Sequence, residues 1–247
     1  MKTPAVPQFL LTALLGLVLA APGRGQLPTL VKDIKPGAGG SLPGYLVPIN
    51  DVLYFGADDG IHGSELWKSD GTAAGTVLVK DIRPGNENSN LDYLFNANGT
   101  LYFSANDGTN GQELWKSDGT AAGTVLVKNI NPTGDSTPED LVVVNGLLFF
   151  SASDGVHGRE LWKSDGTAAG TVLVRDINPG ADDALQDLES YMRNPMIGFD
   201  GSLYFPATDG STGLELWKSD GTAAGTVLVK DIRPGPGKST LQDTIVS

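Results

Sequence analysis

The chain has 247 residues, with 17 Lys and Arg against 29 Asp and Glu, so its formal net charge is −12. This acidity argues against nucleic acid and anionic membranes as partners, because both require a basic surface. The 33 Gly favour tight turns and short strands over long helices, and the absence of Cys excludes disulfides and thiolate metal sites.

The first 26 residues are predicted to be a signal peptide. An apolar run from Phe9 to Ala21 follows a basic residue and is too short to span a bilayer, which is typical of a secretory leader. Val18 and Ala20 suit the positions before a cleavage site, so we predict cleavage within residues 20–26. An uncleaved membrane anchor is the alternative. The leader predicts a secreted, cell-surface or periplasmic protein that keeps no membrane-inserted segment after cleavage.

Residues 27–247 are predicted to form a single domain built from an internal repeat. The string ELWKSDGTAAGTVLV occurs without change at Glu65–Val79, Glu113–Val127, Glu160–Val174 and Glu215–Val229. The period of about 48 residues defines units at about 38–85, 86–134, 135–180 and 181–235. The fourth unit carries an insertion at Ala181–Pro195.

Each unit is predicted to contain four short strands, because runs of β-branched and aromatic residues alternate with turn residues. In the first unit these strands are Tyr45–Ile49, Val52–Ala57, Ser64–Ser69 and Thr76–Ile82. Repeated four-stranded units of this length predict an all-β fold, a β-propeller-like array of four-stranded antiparallel blades. An open β-solenoid is the alternative.

The number of blades is left open by the sequence. Residues 28–37 match the fourth strand of a unit and its turn, so they predict an orphan N-terminal strand, and Ser239–Val246 resembles the start of another first strand. Either a four-bladed ring closes with spare ends, or the ring is incomplete and the chain is a fragment of a longer array. An incomplete ring exposes a sheet face and favours self-association.

The repeated octet Glu-Leu-Trp-x-x-Asp-Gly-Thr resembles the motif of the bacterial ELWxxDGT repeat family. The resemblance covers about Pro28 to Gly237, which is nearly the whole chain after the leader. It implies a secreted or surface-associated repeat protein, and it implies no particular biochemical activity.

Acidic residues recur in loops that are expected to share one end of the blades. An Asp precedes Gly between the second and third strands, at Asp59, Asp107, Asp154 and Asp209, and three units place an Asp after the fourth strand, at Asp81, Asp176 and Asp231. Carboxylates and carbonyls are the ligands that Ca²⁺ prefers, so these seven residues are candidate calcium ligands. The alternative is that each Asp before Gly caps its own turn.

Other invariant residues are interpreted as structural. Glu65 is expected to accept a hydrogen bond from the neighbouring blade, whereas Lys68, Ser69, Ala73 and Ala74 are expected to be exposed, as are the two histidines. The tryptophans are expected to fill the seams between blades and the aspartates of the DGT triplets to lock hairpins, at Trp67, Trp115, Trp162, Trp217, Asp70, Asp118, Asp165 and Asp220.

Three functions are left open. Motifs for zinc and serine hydrolases are absent, so the first hypothesis is a non-catalytic scaffold that binds an extracellular polymer or surface component, such as a glycan, an envelope component or a protein, through several weak sites. The second is an extracellular hydrolase or lyase with one site at the propeller axis. The third is a structural fragment of a larger surface protein.

A specific site is expected in the loops that differ between units, because loops carry function on a rigid scaffold. These loops are Asn86–Asn90, Thr133–Pro138 and the insertion at Ala181–Pro195. For the hydrolase hypothesis the insertion would supply the acid or base, from Asp182, Asp183, Asp187 or Glu189.

Overall fold

The computed structural model describes residues 28–185, 196–232 and 234–235. The predicted signal peptide lies outside the described residues, as do residues 186–195 of the insertion and the predicted strand at Ser239–Val246. The chain divides into a leading unit, Met1–Leu30, and a second unit, Val31–Ser247, which holds all of the described strands. Within these ranges the chain has no helix of the length and apolarity that a bilayer crossing requires.

Four sheets of four antiparallel strands follow one another along the second unit, and each strand pairs with its neighbour in sequence. We call the sheets blades 1 to 4. Blades 1 and 2 contain β1 (Gly44–Ile49), β2 (Val52–Asp58), β3 (Ser64–Ser69), β4 (Val77–Lys80), β5 (Asp92–Ala97), β6 (Thr100–Asn106), β7 (Gln112–Ser117) and β8 (Val125–Lys128). Blades 3 and 4 contain β9 (Glu139–Val144), β10 (Leu147–Ser153), β11 (Arg159–Ser164), β12 (Val172–Arg175), β13 (Ile197–Phe199), β14 (Ser202–Ala207), β15 (Glu215–Ser219) and β16 (Val227–Lys230). The predicted fold class, an all-β propeller-like array of four-stranded antiparallel blades, is confirmed.

Turn residues set the ends of these strands. Asn98 and Gly99 both have positive φ, 53° and 94°, which is the conformation that a two-residue hairpin between β5 and β6 requires. The fourth strand is shorter than predicted in blade 1, because its flanking groups bond elsewhere. Thr76 donates its hydroxyl to the Thr72 carbonyl at 2.7 Å, and the Ile82 N–H donates to a side chain of β3 at 2.8 Å.

Successive blades pack face to face, and the seams between them form the core. We call the sheet surface toward the preceding blade the leading face and the surface toward the following blade the trailing face. Leu66, Val79 and Ile82 on the trailing face of blade 1 pack against Phe103 and Trp115 on the leading face of blade 2. Blades 2 and 3 and blades 3 and 4 form equivalent clusters. Each large apolar side chain that a seam buries contributes roughly 1.5–3 kcal/mol.

Residues 31–37, the part of the predicted orphan strand that belongs to the second unit, pack on the leading face of blade 1 without forming a strand. We call residues 31–37 the strap. Ile34 of the strap packs against Phe55 and Trp67. The strap joins no sheet, because the described residues place no other strand of a preceding blade beside it.

Candidate functional site

Every tryptophan of the repeat is in contact with a basic side chain from the preceding unit or, for Trp67, from the strap. Lys80 places its Nζ 5.8 Å from the ring centroid of Trp115 and donates to the Thr124 carbonyl at 2.7 Å. The same two contacts are made at Trp67, Trp162 and Trp217 by Lys32, Lys128 and Arg175. A cation–π contact and a charge-assisted hydrogen bond therefore stabilise each seam. Sequence reasoning missed the role of these basic residues, although a Lys or Arg follows every Val-Leu-Val run.

The invariant glutamates are buried carboxylates that hold the turn after the fourth strand. In blade 1, the backbone N–H groups of Ile82 and Arg83 donate to Glu65 at 2.8 and 3.4 Å. In blade 2, a hydroxyl from the following unit also donates, from Ser136 to Glu113 at 2.6 Å. Burial raises the pKa of Glu65 to about 7, although the backbone donors favour its charged form.

The DGT triplets form hairpin turns that contact the preceding blade. Thr120 donates its backbone N–H and its hydroxyl to Asp118 at 2.8 and 2.7 Å. The carbonyl of Gly119 in the same turn accepts a bond from Lys68 at 2.8 Å, and a Cβ at Gly119 would clash with the Tyr54 hydroxyl. The same two bonds within the turn are accepted by Asp70, Asp165 and Asp220.

The expectation that Lys68 and Ser69 are exposed is wrong. Lys68 is half-buried against the next blade, where its ammonium group bonds to that hairpin. Ser69 is 8% exposed, and its hydroxyl lies 2.7 Å from the Thr76 hydroxyl. Ala73 and Ala74 are exposed, as predicted. Contacts therefore account for the invariance of the Lys-Ser pair and leave that of the Ala-Ala pair unexplained.

Each candidate calcium ligand between the second and third strands caps its own turn. Asp59 accepts the backbone N–H groups of Ile61 and His62 at 2.8 and 2.9 Å, and its second oxygen lies 2.7 Å from Nδ1 of His62. Burial opposes the ionisation of Asp59, but these bonds hold its pKa below the ordinary value. The equivalent backbone bonds are accepted by Asp107, Asp154 and Asp209.

The aspartates after the fourth strand each keep a buried carboxylate oxygen, Oδ1, that has no hydrogen-bond partner among the described residues; these are Asp81, Asp176 and Asp231. The charge of Asp81 also raises the pKa of His62, so Asp59 and Asp81 both lie near this histidine. In the described ranges, no group of three or more His, Asp or Glu side chains is arranged to hold a metal ion. Calcium binding at these loops stays a prediction.

The two histidines should titrate above the ordinary histidine range. The bond to Asp59 raises the pKa of His62 most, and the charges of Asp81 and Glu65 add to this effect. In the Asp59→Asn variant the His62 pKa should fall, because the carboxylate that favours imidazolium is gone. An NMR titration of the imidazole signals measures both groups, and His157 in the same sample is the control. An unchanged His62 titration would contradict the assignment.

A polar cavity of about 270 Å³ opens at the start of the first strands of blades 2 and 3. The first strands of neighbouring blades contact one another, so the cavity lies at their inner edges. Two of the variable loops contribute to its wall. The polar and aromatic lining includes Asn90, Asp92, Tyr93, Gln112, Asp135 and Glu139.

One repeat position changes the hydrogen-bond donors around this cavity. The residue before the invariant glutamate differs in every unit: it is Ser64, Gln112, Arg159 or Leu214. Gln112 donates its amide to the Asn90 carbonyl at 2.7 Å. Arg159 donates to the Thr137 carbonyl at 2.8 Å and pairs with Glu139 at 3.3 Å. Sequence reasoning missed this position, and the available signal was variation directly beside an invariant residue.

The backbone of the cavity wall contains a bulge that recurs along the repeat. Asn90 and Tyr93 have φ values of 49° each, in the left-handed region that disfavours side chains. The strand pairing shifts register between Asp92 and Phe95. Equivalent left-handed pairs occur in blades 1 and 3, at Leu42 and Tyr45 and at Thr137 and Asp140. The bulge is therefore part of the repeat, whereas the side chains around the cavity differ from unit to unit.

The described part of the insertion packs into the core: Ala184 and Leu185 are buried in the seam between blades 3 and 4. Asp183 accepts the backbone N–H of Arg159 at 2.7 Å, which is a turn contact. Asp182 places its backbone carbonyl against Gly158. Asp187 and Glu189 lie outside the described residues. A catalytic role for the insertion stays a prediction.

No protein-family model matches the chain, and no curated protein matches it. Among solved structures it is similar to a puromycin hydrolase, with 16% identity over 76% of this chain and 29% of that chain and a TM-score of 0.47. It is also similar to a puromycin-hydrolyzing peptidase of Mycobacterium tuberculosis, with 10% identity over 81% of this chain and 30% of that chain and a TM-score of 0.48. For a GH43 glycoside hydrolase the identity is 17%, over 80% of this chain and 42% of that chain, with a TM-score of 0.36. The chain spans less than half the length of each of these proteins, and likenesses this distant carry no argument about function.

Proposed function

We propose that this protein is a secreted, non-catalytic propeller scaffold that binds a glycan at the cavity between the first strands of blades 2 and 3. The observation that carries the proposal is the make-up of the cavity wall, in which carboxylates, amides and one tyrosine surround a space of about 270 Å³. Sugar hydroxyls donate and accept hydrogen bonds, so they pair with carboxylates and amides. An aromatic ring supplies the apolar contact that orients such a ligand.

The wall residues are held in place by bonds that leave part of their polar capacity for a ligand. Asp135 accepts the backbone N–H of Gln112 at 2.7 Å through Oδ1 alone. Gln112 donates through its amide nitrogen, and within the described residues its side-chain oxygen has no hydrogen-bond partner. A preorganised wall lowers the entropy that binding must overcome.

The extracellular setting in this proposal rests on the predicted signal peptide and on the resemblance to the ELWxxDGT repeat family. A glycan polymer would present the same saccharide many times along one chain. Several copies of the protein can then bind one polymer, and copies that are linked to one another would gain avidity from individually weak contacts.

Replacing Tyr93 with Ala should weaken saccharide binding at least about tenfold, or roughly 1.4 kcal/mol, because it removes the one aromatic ring that the described residues contribute to the cavity wall. A glycan array of neutral, acidic and amino saccharides selects the ligand, and isothermal titration calorimetry measures its affinity. Tyr45→Ala is the matched control, since Tyr45 has the same place in blade 1 and is 53% exposed. No retention on the array or on envelope polysaccharide, or an equal loss in both variants, would contradict the proposal.

The hydrolase alternative is tested with the same ligand. A scaffold leaves the length of the bound glycan unchanged, whereas a hydrolase releases new reducing ends. Release that disappears in the Glu139→Gln variant would assign the cavity to catalysis instead of binding.

A further inference from the structure

The trailing face of blade 4 exposes the residues that the other blades bury in their seams. Leu216, Val229 and Ile232 are 42%, 44% and 65% exposed. Their equivalents in blade 1, which the sequence repeats identically, are Leu66, Val79 and Ile82, and these are 0%, 6% and 3% exposed. Ile197 and Phe199 of β13 extend the patch, at 63% and 69%. The difference in exposure therefore arises from the position of the blade in the array and not from its amino-acid sequence.

Two lysines on this face lack the partners that their equivalents have. Lys68, Lys116 and Lys163 each donate to a hairpin carbonyl of the next blade, at Gly119, Gly166 and Gly221. Lys80 bonds to Thr124 and lies over Trp115. Within the described residues, Lys218 and Lys230 make neither contact. The exposed patch is therefore apolar with two cationic groups, in the arrangement that a seam requires.

The leading face of blade 1 carries the groups that the trailing face of a preceding blade would contact, including an aspartate in its DGT turn. The Thr120 hydroxyl lowers the pKa of Asp118 most, and the positive charge of Lys68 across the seam adds to the effect. Lys116 and Lys163 act in the same way on Asp165 and Asp220. Asp70 has the same place on blade 1, where the described residues bring no lysine to it.

The strap covers part of that leading face. Its sequence matches the end of a fourth strand and the residues that follow it. Residues 31–34 and 229–232 both read Val-Lys-Asp-Ile. Lys32 of the strap occupies the place over Trp67 that the fourth strand of a preceding blade would take. Leu53 on this face is partly exposed, whereas its equivalents Leu101 and Leu148 are 0% and 3% exposed. The strap is therefore an incomplete cover.

We infer that the trailing face of blade 4 docks on the leading face of blade 1 of a second copy, forming a fourth seam head to tail. Lys218 then bonds the Gly71 carbonyl beside Asp70, and Lys230 takes the place of Lys32 over Trp67. The strap competes with β16 for this place, so it limits the association. Head-to-tail contacts extend into chains or close into rings, because the two surfaces are different.

Sedimentation equilibrium of the chain from Gln26 onward, over a wide concentration range, tests this inference. The average mass should rise with concentration above that of one chain. Leu216→Glu should weaken the association at least tenfold, because it places a charge in the apolar centre of the seam. Ile34→Asp, which loosens the strap, should strengthen it at least tenfold. Ile61→Glu is the control, since Ile61 is a 69% exposed apolar residue in a loop of blade 1.

The double variant Ile34→Asp with Leu216→Glu separates the docking from non-specific clustering of an uncovered face. It should associate at least tenfold more weakly than Ile34→Asp alone, with circular dichroism unchanged from the parent. Association that survives Leu216→Glu would overturn the inference, as would a single-chain mass for Ile34→Asp at every concentration. A chain that is monomeric until Leu241→Glu is introduced would also overturn it, because residues 236–247 of the same chain would then be the occupant.

Discussion

Replacing Leu114 with Ala should lower the free energy of unfolding by about 2–5 kcal/mol, whereas the same replacement at Leu216 should lower it by less than about 1 kcal/mol. The two leucines occupy the same position in identical stretches of sequence. Leu114 is fully buried in the seam between blades 2 and 3, and Leu216 is 42% exposed. The larger loss at Leu114 combines lost transfer free energy with the cavity left in a packed seam.

Denaturant unfolding of dilute samples measures both variants against the parent chain. Local strand propensity is identical in the two places, so it cancels in the comparison, and the difference reports seam packing alone. Equal losses in the two variants would mean that blade 4 is covered as completely as blade 2.

Replacing Glu160 with Ala should lower the free energy of unfolding by roughly 2–5 kcal/mol at pH 5, because two buried donors lose their acceptor. The backbone N–H groups of Ile177 and Asn178 donate to this carboxyl group at 3.0 and 3.1 Å. Glu160 itself is 0% exposed. Asp183→Ala in the same blade is the control, since it removes a carboxylate from an exposed turn.

The loss at Glu160 should shrink as the pH rises. Burial raises the pKa of Glu160 from its ordinary 4.5 to about 8 in the folded protein. Between these values the folded state holds more protons than the unfolded chain, so the free energy of unfolding falls as the pH rises, by up to about 1.4 kcal/mol per pH unit. Denaturant unfolding at pH 5, 6.5 and 8 should show this slope in the parent and a shallower one in Glu160→Ala. Identical slopes would show that Glu160 ionises as an ordinary carboxyl group.

The raised pKa values of the other groups act in the same direction. Glu65 favours the folded state at low pH and loses this contribution between pH 4.5 and about 7. The raised pKa of each histidine likewise gives a contribution that is present at low pH and lost as the pH passes that value. Aspartates with lowered pKa values, such as Asp59 and Asp209, lose their contribution at still lower pH, so maximum stability is expected at mildly acidic pH.

Much of the fold can be predicted from the sequence, because the same pattern of strands and turns occurs in four units. Strand β3 lies at Ser64–Ser69, as predicted, since its apolar residues and flanking turns are local features. Strand β4 ends earlier than predicted, because the N–H of Ile82 bonds to Glu65, which lies far away in sequence. Local pattern identifies a strand, but a distant acceptor decides where it stops.

The candidate site was harder to predict from sequence. The variable loops were identified, and Asn90 and Asp135 from these loops line the cavity. Tyr93 and Gln112 were not identified, because neither belongs to a motif that indicates binding. Their approach depends on how two neighbouring blades place their first strands side by side, which no single repeat encodes.

The strand order, the antiparallel pairing and the seam residues follow from the amino-acid sequence alone, because alternation, turn chemistry and exact repetition are local properties of the chain. Which copy of each residue is buried depends on the packing of the blades. Leu66 and Leu216 have the same neighbours in sequence and opposite surroundings, since one blade is followed by another and the last described blade is not. Burial depends on what packs against a face, and for an array of identical units that is set by position.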